Sequence, residues 1–121
     1  GLLASFYGGL DEEMLTRLFF LTLFAWIGAR LTRVRPGERP GAGVLWTAGV
    51  LAAVLFAAGH LPAVQLIGLP LDALMVTRTL VLNGALGVAF GWLYVSAGLE
   101  AAMISHFSAD LVLHVLAPLF A

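Results

Sequence analysis

Ionisable side chains interrupt otherwise hydrophobic segments of this chain at several places. Such residues are rare and costly inside membrane-spanning segments, and they usually mark a functional site. Three groups combine a carboxylate or a histidine with a possible partner at helical spacing. In chain order, these groups are Glu12, Glu13 and Arg17; Phe56 and His60; and His106, Asp110 and His114.

Helical spacing predicts which of these side chains meet. Residues four positions apart lie on the same helix face, so Glu13 can contact Arg17, and His106 can contact Asp110. Glu12 projects about 100° away from Glu13, because a helix has 3.6 residues per turn. One carboxylate can therefore be held by the arginine while the other acts elsewhere.

These residue types fit the hydrolysis of an acyl bond. A carboxylate beside a histidine is a general-base pair that can activate water. A second histidine with a polar partner can stabilise a tetrahedral oxyanion. The same side chains would also suit zinc, for which Glu12, His60 and His106 are the candidate ligands, with His114 as a further one.

This chain lacks the catalytic residues that other types of intramembrane protease require. The chain has no cysteine, no HExxH motif and no Gly-x-Ser-x-Gly motif. Ser105 and Ser108 flank His106, but neighbours one and two positions apart face away from each other on a helix. Asp72 falls in a predicted connector, so no aspartate pair is placed on two membrane helices.

Simpler structural roles compete with these functional ones. Asp11 can cap a helix N-terminus, with Glu12 and Glu13 in the first turn, where the helix dipole favours them. For these acids alone, capping is the preferred interpretation. His60 alone reads as a residue at a helix end, and His114 as a packing or interface residue.

The elements that must position these residues are membrane helices. Hydrophobic residues make up 61% of the 121 residues and charged residues 11%, whereas soluble domains carry about 25% charge. A membrane-spanning helix needs about 20 apolar residues. Four segments meet this requirement and predict an all-α, multi-pass transmembrane bundle in a single domain, residues 1–121. They are Asp11–Leu31, Val44–His60, Ala73–Ala97 and Leu99–Ala121, with an apolar connector at Leu61–Asp72 after a stop at Pro62.

The loop between the first two segments is rich in arginine. Arg30, Arg33, Arg35 and Arg39 stand there against Glu38 alone, and the positive-inside rule places such a loop in the cytoplasm. The net charge of −1 gives no indication of a nucleic-acid partner. We expect a cell-membrane protein whose partners are the lipid bilayer and membrane-associated peptides. The absence of an N-terminal methionine and of a signal-peptide pattern predicts a part of a longer protein.

Three motifs in order carry a resemblance to a known family. The stretch "EEMLTR" (Glu12–Arg17) matches EExxxR, "FAAGH" (Phe56–His60) matches FxxxH, and "HFSAD" (His106–Asp110) matches HxxxN/D. Each lies on its own hydrophobic segment, and together they resemble the CPBP family of intramembrane proteases. That family includes CAAX prenyl endopeptidases and bacterial ABI (bacteriocin-immunity) proteins. Its members usually carry further helices upstream.

The resemblance implies a role for each matching residue. Glu12 would be the general base, and His60 would help it to orient and activate water. His106 and Asp110 would form the oxyanion side of the site. Supporting roles fall to Glu13, Arg17 and Phe56. The family is often described as metalloproteases, but the resemblance to its CAAX branch favours a glutamate protease without a metal cofactor; zinc is the alternative.

Two features depart from a simple match. Asp110 stands where many relatives have asparagine, and an ionised aspartate cannot donate to an oxyanion. It must be protonated, or it must orient His106; the resemblance favours the neutral role. Simple full crossings would also separate His106 from Glu12 and His60 by about 10 Å along the membrane normal. A tilt, a broken third helix or an inserted connector would close this offset.

A non-enzymatic function is the alternative hypothesis. Intramembrane glutamate, histidine and aspartate also form proton relays in transporters, and some relatives act in immunity or regulation. Transporters often contain an inverted repeat, and none is visible here. The arginine-only basic composition, with abundant alanine and glycine, is typical of a GC-rich bacterial genome. A bacterial host favours membrane peptides other than prenylated CAAX proteins as the natural substrate.

Overall fold

The computed structural model describes residues 2–120, and all secondary structure in this part of the chain is helical. The predicted all-α class is confirmed. The α-helices are α1 (Leu2–Tyr7), α2 (Thr22–Leu31), α3 (Ala42–Leu66), α4 (Ala73–Ala97) and α5 (Leu99–Leu111). Wider, π-helical turns occupy Gly8–Glu12, Met14–Leu21 and Val112–Leu116, and a short 3₁₀ turn covers Ala117–Leu119.

Four continuous helical stretches are long and apolar enough to cross a membrane, as predicted. They are Ser5–Leu31, Ala42–Leu66, Ala73–Ala97 and Leu99–Leu119; we refer to them as the first to fourth spans. Many large apolar side chains point outward from these spans, including Trp26, Val54 and Ile104. A surface of apolar side chains suits contact with lipid. Because lipid offers no hydrogen-bond partners, every backbone group must also be bonded within the helices.

The predicted end of the second span at Pro62 is wrong. Helix α3 continues through Pro62 to Leu66, so the connector is shorter than Leu61–Asp72. A proline removes one backbone donor, whereas ending the helix would leave several groups without partners in lipid. Gly68, at φ +79°, then turns the chain. Asp72 caps α4 by accepting a hydrogen bond from the Met75 N–H at 2.7 Å.

The capping role expected for Asp11 is also wrong. Helical backbone is already present from Leu2, and it continues through Asp11 into the first span. Glu12 and Glu13 therefore lie inside a helix and not in its first turn. Glu13 is fully buried, so a favourable interaction with a helix N-terminus does not explain why an acid occupies this position.

Small residues set the spacing of the central helices. A Cβ at Gly87 of α4 would lie 3.0 Å from the Cβ of Ala53, and one at Gly91 would lie 3.9 Å from the Cα of Gly49. These contacts pair α3 and α4 in antiparallel register. Glycine and alanine permit the close approach on which helix packing in lipid depends.

Two adjacent glycines bring the first span against α5. A Cβ at Gly9 would lie 2.9 Å from the Cβ of Phe107, and a Cβ at Gly8 would collide with the Asp110 carboxyl group. The first span therefore approaches α5 closely beside Glu12 and Glu13. Helix α4 is unbroken and the connector is short, so the side chains meet without a broken third helix and without an inserted connector.

Candidate active site

The centre of the bundle holds a buried ion pair. Glu13 and Arg17 are both fully buried, and Arg17 Nε lies 3.2 Å from Glu13 Oε2. Arg17 also donates to the carbonyl of Gly87 at 3.1 Å and to the hydroxyl of Thr16. A buried charge is tolerated when it is paired and hydrogen-bonded in this way. The pair therefore links the first span to α4.

His106 is held by the second oxygen of the same carboxylate. Its Nδ1 lies 2.8 Å from Glu13 Oε1. A carboxylate paired with arginine only accepts hydrogen bonds, so the ring nitrogen is the donor. The ring stacks on Phe90 at 4.7 Å between centroids and meets Phe56 edge-on at 5.5 Å. His106 is therefore fixed in orientation, with Nδ1–H donating to Glu13 and Nε2 facing the site.

Glu12 lies between the two histidines. Its Oε2 is 3.8 Å from His60 Nε2 and 3.9 Å from His106 Nε2. His60 Nδ1 lies 2.8 Å from the Phe56 carbonyl oxygen, which can only accept, so this nitrogen carries the proton. In the neutral ring, Nε2 is then an acceptor that faces the Glu12 carboxylate. Two acceptors at this separation leave room for a bridging donor.

Asp110 continues the polar row along α5. Its Oδ2 lies 3.7 Å from His106 Nε2, and its Oδ1 lies 3.8 Å from His114 Nε2. Asp110 is largely buried, whereas the His114 side chain is 58% exposed. All the candidate catalytic residues predicted from the sequence are therefore in one cluster, and His114 forms its outer end.

A cavity of about 370 Å³ opens beside Glu12 and His60, between the first and second spans. Its other walls are mainly apolar. They are formed by Tyr7, Leu15, Thr16, Phe20, Leu55, Phe56, Gly59 and Ala63. A peptide or an attached hydrophobic group could reach the Glu12 carboxylate through this cavity.

The contact between Glu13 and His106 is the feature that sequence reasoning missed. Helical spacing predicts a partner for each within its own helix: Arg17 for Glu13 and Asp110 for His106. The two residues are 93 positions apart in the chain, and no local pattern signals their hydrogen bond. Phe90, which stacks on His106, was not singled out either, because it reads as one more apolar residue of its span.

Zinc stays the alternative for Glu12, His60 and His106. Within residues 2–120, no group of three or more histidine, aspartate and glutamate side chains is placed to hold a metal ion.

Comparison with known proteins gives one match. A family model described as type II CAAX prenyl endopeptidase Rce1-like matches residues 1–112. No curated protein and no solved structure matches the chain.

Proposed function

The chain belongs to the Rce1-like family of type II CAAX prenyl endopeptidases, and we propose that it is an intramembrane endopeptidase of the glutamate type. Its substrates would be membrane-associated or lipid-modified peptides. The family supports CAAX-type proteolysis in general, and the four membrane-spanning helices agree with cleavage at or within the bilayer. The residue roles that follow are inferred from the geometry of the site.

Glu12 and His60 activate the attacking water in this proposal. A water between Glu12 Oε2 and His60 Nε2, which are 3.8 Å apart, can donate a hydrogen bond to each acceptor. Glu12 takes the proton as the water oxygen attacks the peptide carbonyl carbon. The same carboxyl group then gives the proton to the leaving amine, as a general base does on its return step.

His106 stabilises the oxyanion that this attack creates. Its Nδ1–H is already committed to Glu13, so it must donate from Nε2, and the ring must carry both protons. Its Nδ1 lies 2.8 Å from the Glu13 carboxylate and its Nε2 lies 3.9 Å from the Glu12 carboxylate, so the second donor faces the reacting group. A positioned cationic donor of this kind is typical of oxyanion stabilisation.

Glu13 and Arg17 act as positioning residues. Glu13 fixes the His106 ring by one oxygen and faces Arg17 with the other. Arg17 is tied in turn to the Gly87 carbonyl of α4. Asp110 supports the oxyanion side as a hydrogen-bonding group beside His106 Nε2. No cofactor is required by these roles, and zinc is the alternative that a metal analysis would test.

The placement of Glu12 Oε2 between two oriented histidines carries this proposal. The test compares cleavage of a membrane peptide that the wild-type protein cleaves with its cleavage by purified Glu12→Gln, which keeps the shape of the side chain but removes the base. We expect the cleavage rate to fall by at least about 10²-fold. Asp11→Asn is the matched control, since Asp11 is an exposed neighbouring acid outside the cluster, and it should keep the wild-type rate. Cleavage by Glu12→Gln at the wild-type rate would show the assignment to be wrong.

A further inference from the structure

A second cavity lies between α3 and α4, at the end of the bundle that carries the arginine-rich loop. Its volume is about 570 Å³, and it shares no lining residue with the cavity beside Glu12. Its walls combine a cation, two indole rings and a floor of glycines. The residues that matter here are Arg39, Trp46, Trp92, Gly49 and Gly91.

The tryptophans place this cavity at a membrane–water boundary. The contact between Gly49 and Gly91 sets the register of the two helices, so Trp46 and Trp92 lie at the same level to within about one turn. The side chains of Trp46 and Trp92 are 53% and 55% exposed. Half-exposed tryptophans collect at the headgroup level of a bilayer.

Trp26 supports the same boundary from a third helix. Gly28 of α2 packs against Val44 of α3, which brings Trp26 to the level of Trp46. Trp26 is 55% exposed, and the guanidinium of Arg30 lies 5.1 Å from its ring centroid. The three tryptophans of the chain thus form one belt at this end of the bundle.

Arg39 is a cation without an acidic partner. One of its N–H groups donates to the Val95 carbonyl at 2.9 Å, which holds the guanidinium at the cavity mouth. Within residues 2–120, no carboxylate lies within 4.0 Å of it. A guanidinium has five N–H donors, so four remain for solvent or for a ligand in the cavity. The nearest acid of the loop, Glu38, faces Arg35 instead.

The cavity changes from polar to apolar along its depth. It extends from Ser96 to Val88 on α4, a distance of about 12 Å for eight residues of helix. Arg39 lies at the polar end of the cavity. The apolar end is a groove over Gly49 and Gly91, which have no side chains to fill it. This shape fits a ligand with an anionic head and an apolar tail.

We propose that this cavity binds an anionic phospholipid. The lipid phosphate binds Arg39, the glycerol region lies between Trp46 and Trp92, and the start of one acyl chain follows the glycines. Anionic headgroups are attracted to basic segments next to the membrane. The proposal does not depend on the proposed protease activity, because the lining of this cavity includes none of Glu12, Glu13, His60, His106 and Asp110, which we call the Glu12 cluster.

The test is quenching of tryptophan fluorescence by brominated phospholipids. The protein, with Trp26→Phe so that Trp46 and Trp92 report, is reconstituted in phosphatidylcholine with increasing brominated phosphatidylglycerol. A parallel series uses brominated phosphatidylcholine. We expect half-maximal quenching at a lower fraction of the anionic lipid. Arg39→Gln should raise that fraction about fivefold, and Arg39→Lys should stay near the wild-type value.

Two further variants separate a site from diffuse attraction. Arg33→Gln removes the same charge from the same loop but does not line the cavity, so it should leave quenching unchanged. Gly49→Leu fills the apolar end without altering charge, and open space surrounds its Cβ position; it should also raise the half-maximal fraction. Equal quenching by the two lipids, an equal effect of Arg33→Gln, or no effect of Gly49→Leu would each overturn the proposal.

Discussion

At the scale of single residues, one carboxylate organises the site. Glu13 binds His106 with one oxygen and faces Arg17 with the other, and all three side chains are buried. Its neighbour Glu12 projects in another direction and lies between the two histidines. In our proposal the adjacent glutamates thus take two roles, positioning for Glu13 and catalysis for Glu12, because successive residues on a helix face different directions.

Glu13→Gln tests this division of roles. The amide would leave Arg17 as a buried charge without a counterion, and breaking such a pair costs about 3–5 kcal/mol. We therefore expect a large fall in the unfolding temperature as well as in activity, measured by circular dichroism in detergent. Glu12→Gln is the control, because its side chain is partly exposed and forms no ion pair with an arginine within 4.0 Å in the described residues; it should lose activity with little loss of stability. Equal stability of the two variants would contradict the positioning role.

Asp110→Asn tests whether the carboxyl group next to His106 acts as a neutral hydrogen-bonding group. An asparagine supplies an amide donor at the same reach, so we expect the cleavage rate to stay within about threefold of wild type. Asp110→Ala, which removes the group, should lower the rate much further. A folded but inactive asparagine variant would show that the site needs an ionised partner for His106.

At the scale of helices, the Glu12 cluster depends on a close crossing between the first span and α5. Gly8 and Gly9 let the first span approach α5 near His106 and Asp110. The wider π-helical turns occupy this same part of the first span; such turns often occur at functional sites.

Gly9→Ala tests the importance of this crossing. The added methyl group would meet the Phe107 Cβ at 2.9 Å and the Met103 carbonyl at 3.2 Å, and overpacking of this kind costs about 1–3 kcal/mol. We expect a lower unfolding temperature and reduced cleavage, because the helices must separate beside Glu13 and His106. Gly43→Ala is the matched control, since its Cβ position has no neighbour within 4 Å. Unchanged activity in Gly9→Ala would show that the site tolerates a wider crossing.

At the scale of the whole molecule, the bundle has two ends with different chemistry. One end carries the arginine-rich loop, the tryptophan belt and the proposed lipid cavity. The Glu12 cluster lies toward the opposite end. His60 and Trp46 are 14 residues apart on α3, or about 21 Å along its axis. The positive-inside rule would place the loop in the cytoplasm, and the Glu12 cluster would then lie nearer the opposite surface of the membrane.

Elemental analysis of the purified protein tests the metal-free mechanism. We expect no stoichiometric zinc and no loss of cleavage in the presence of a chelator, because the proposed roles of Glu12, His60 and His106 require none. Stoichiometric zinc, with activity lost on chelation and restored by added zinc, would overturn this. The three residues would then be the candidate ligands, with His114 as a further one.

The sequence by itself determined the membrane class, the four spans and which residue types could do chemistry. These depend on hydrophobic composition and on helical spacing, which are local properties. Contacts within one helix, such as Glu13 with Arg17, follow from the same spacing. Only the tertiary structure decided that Glu13 binds His106 and that Glu12 lies between two histidines from different helices. It also carried α3 through Pro62. The physical reason is that these outcomes depend on how closely helices cross and on the cost of free backbone groups in lipid, and neither is encoded in the spacing of a single segment.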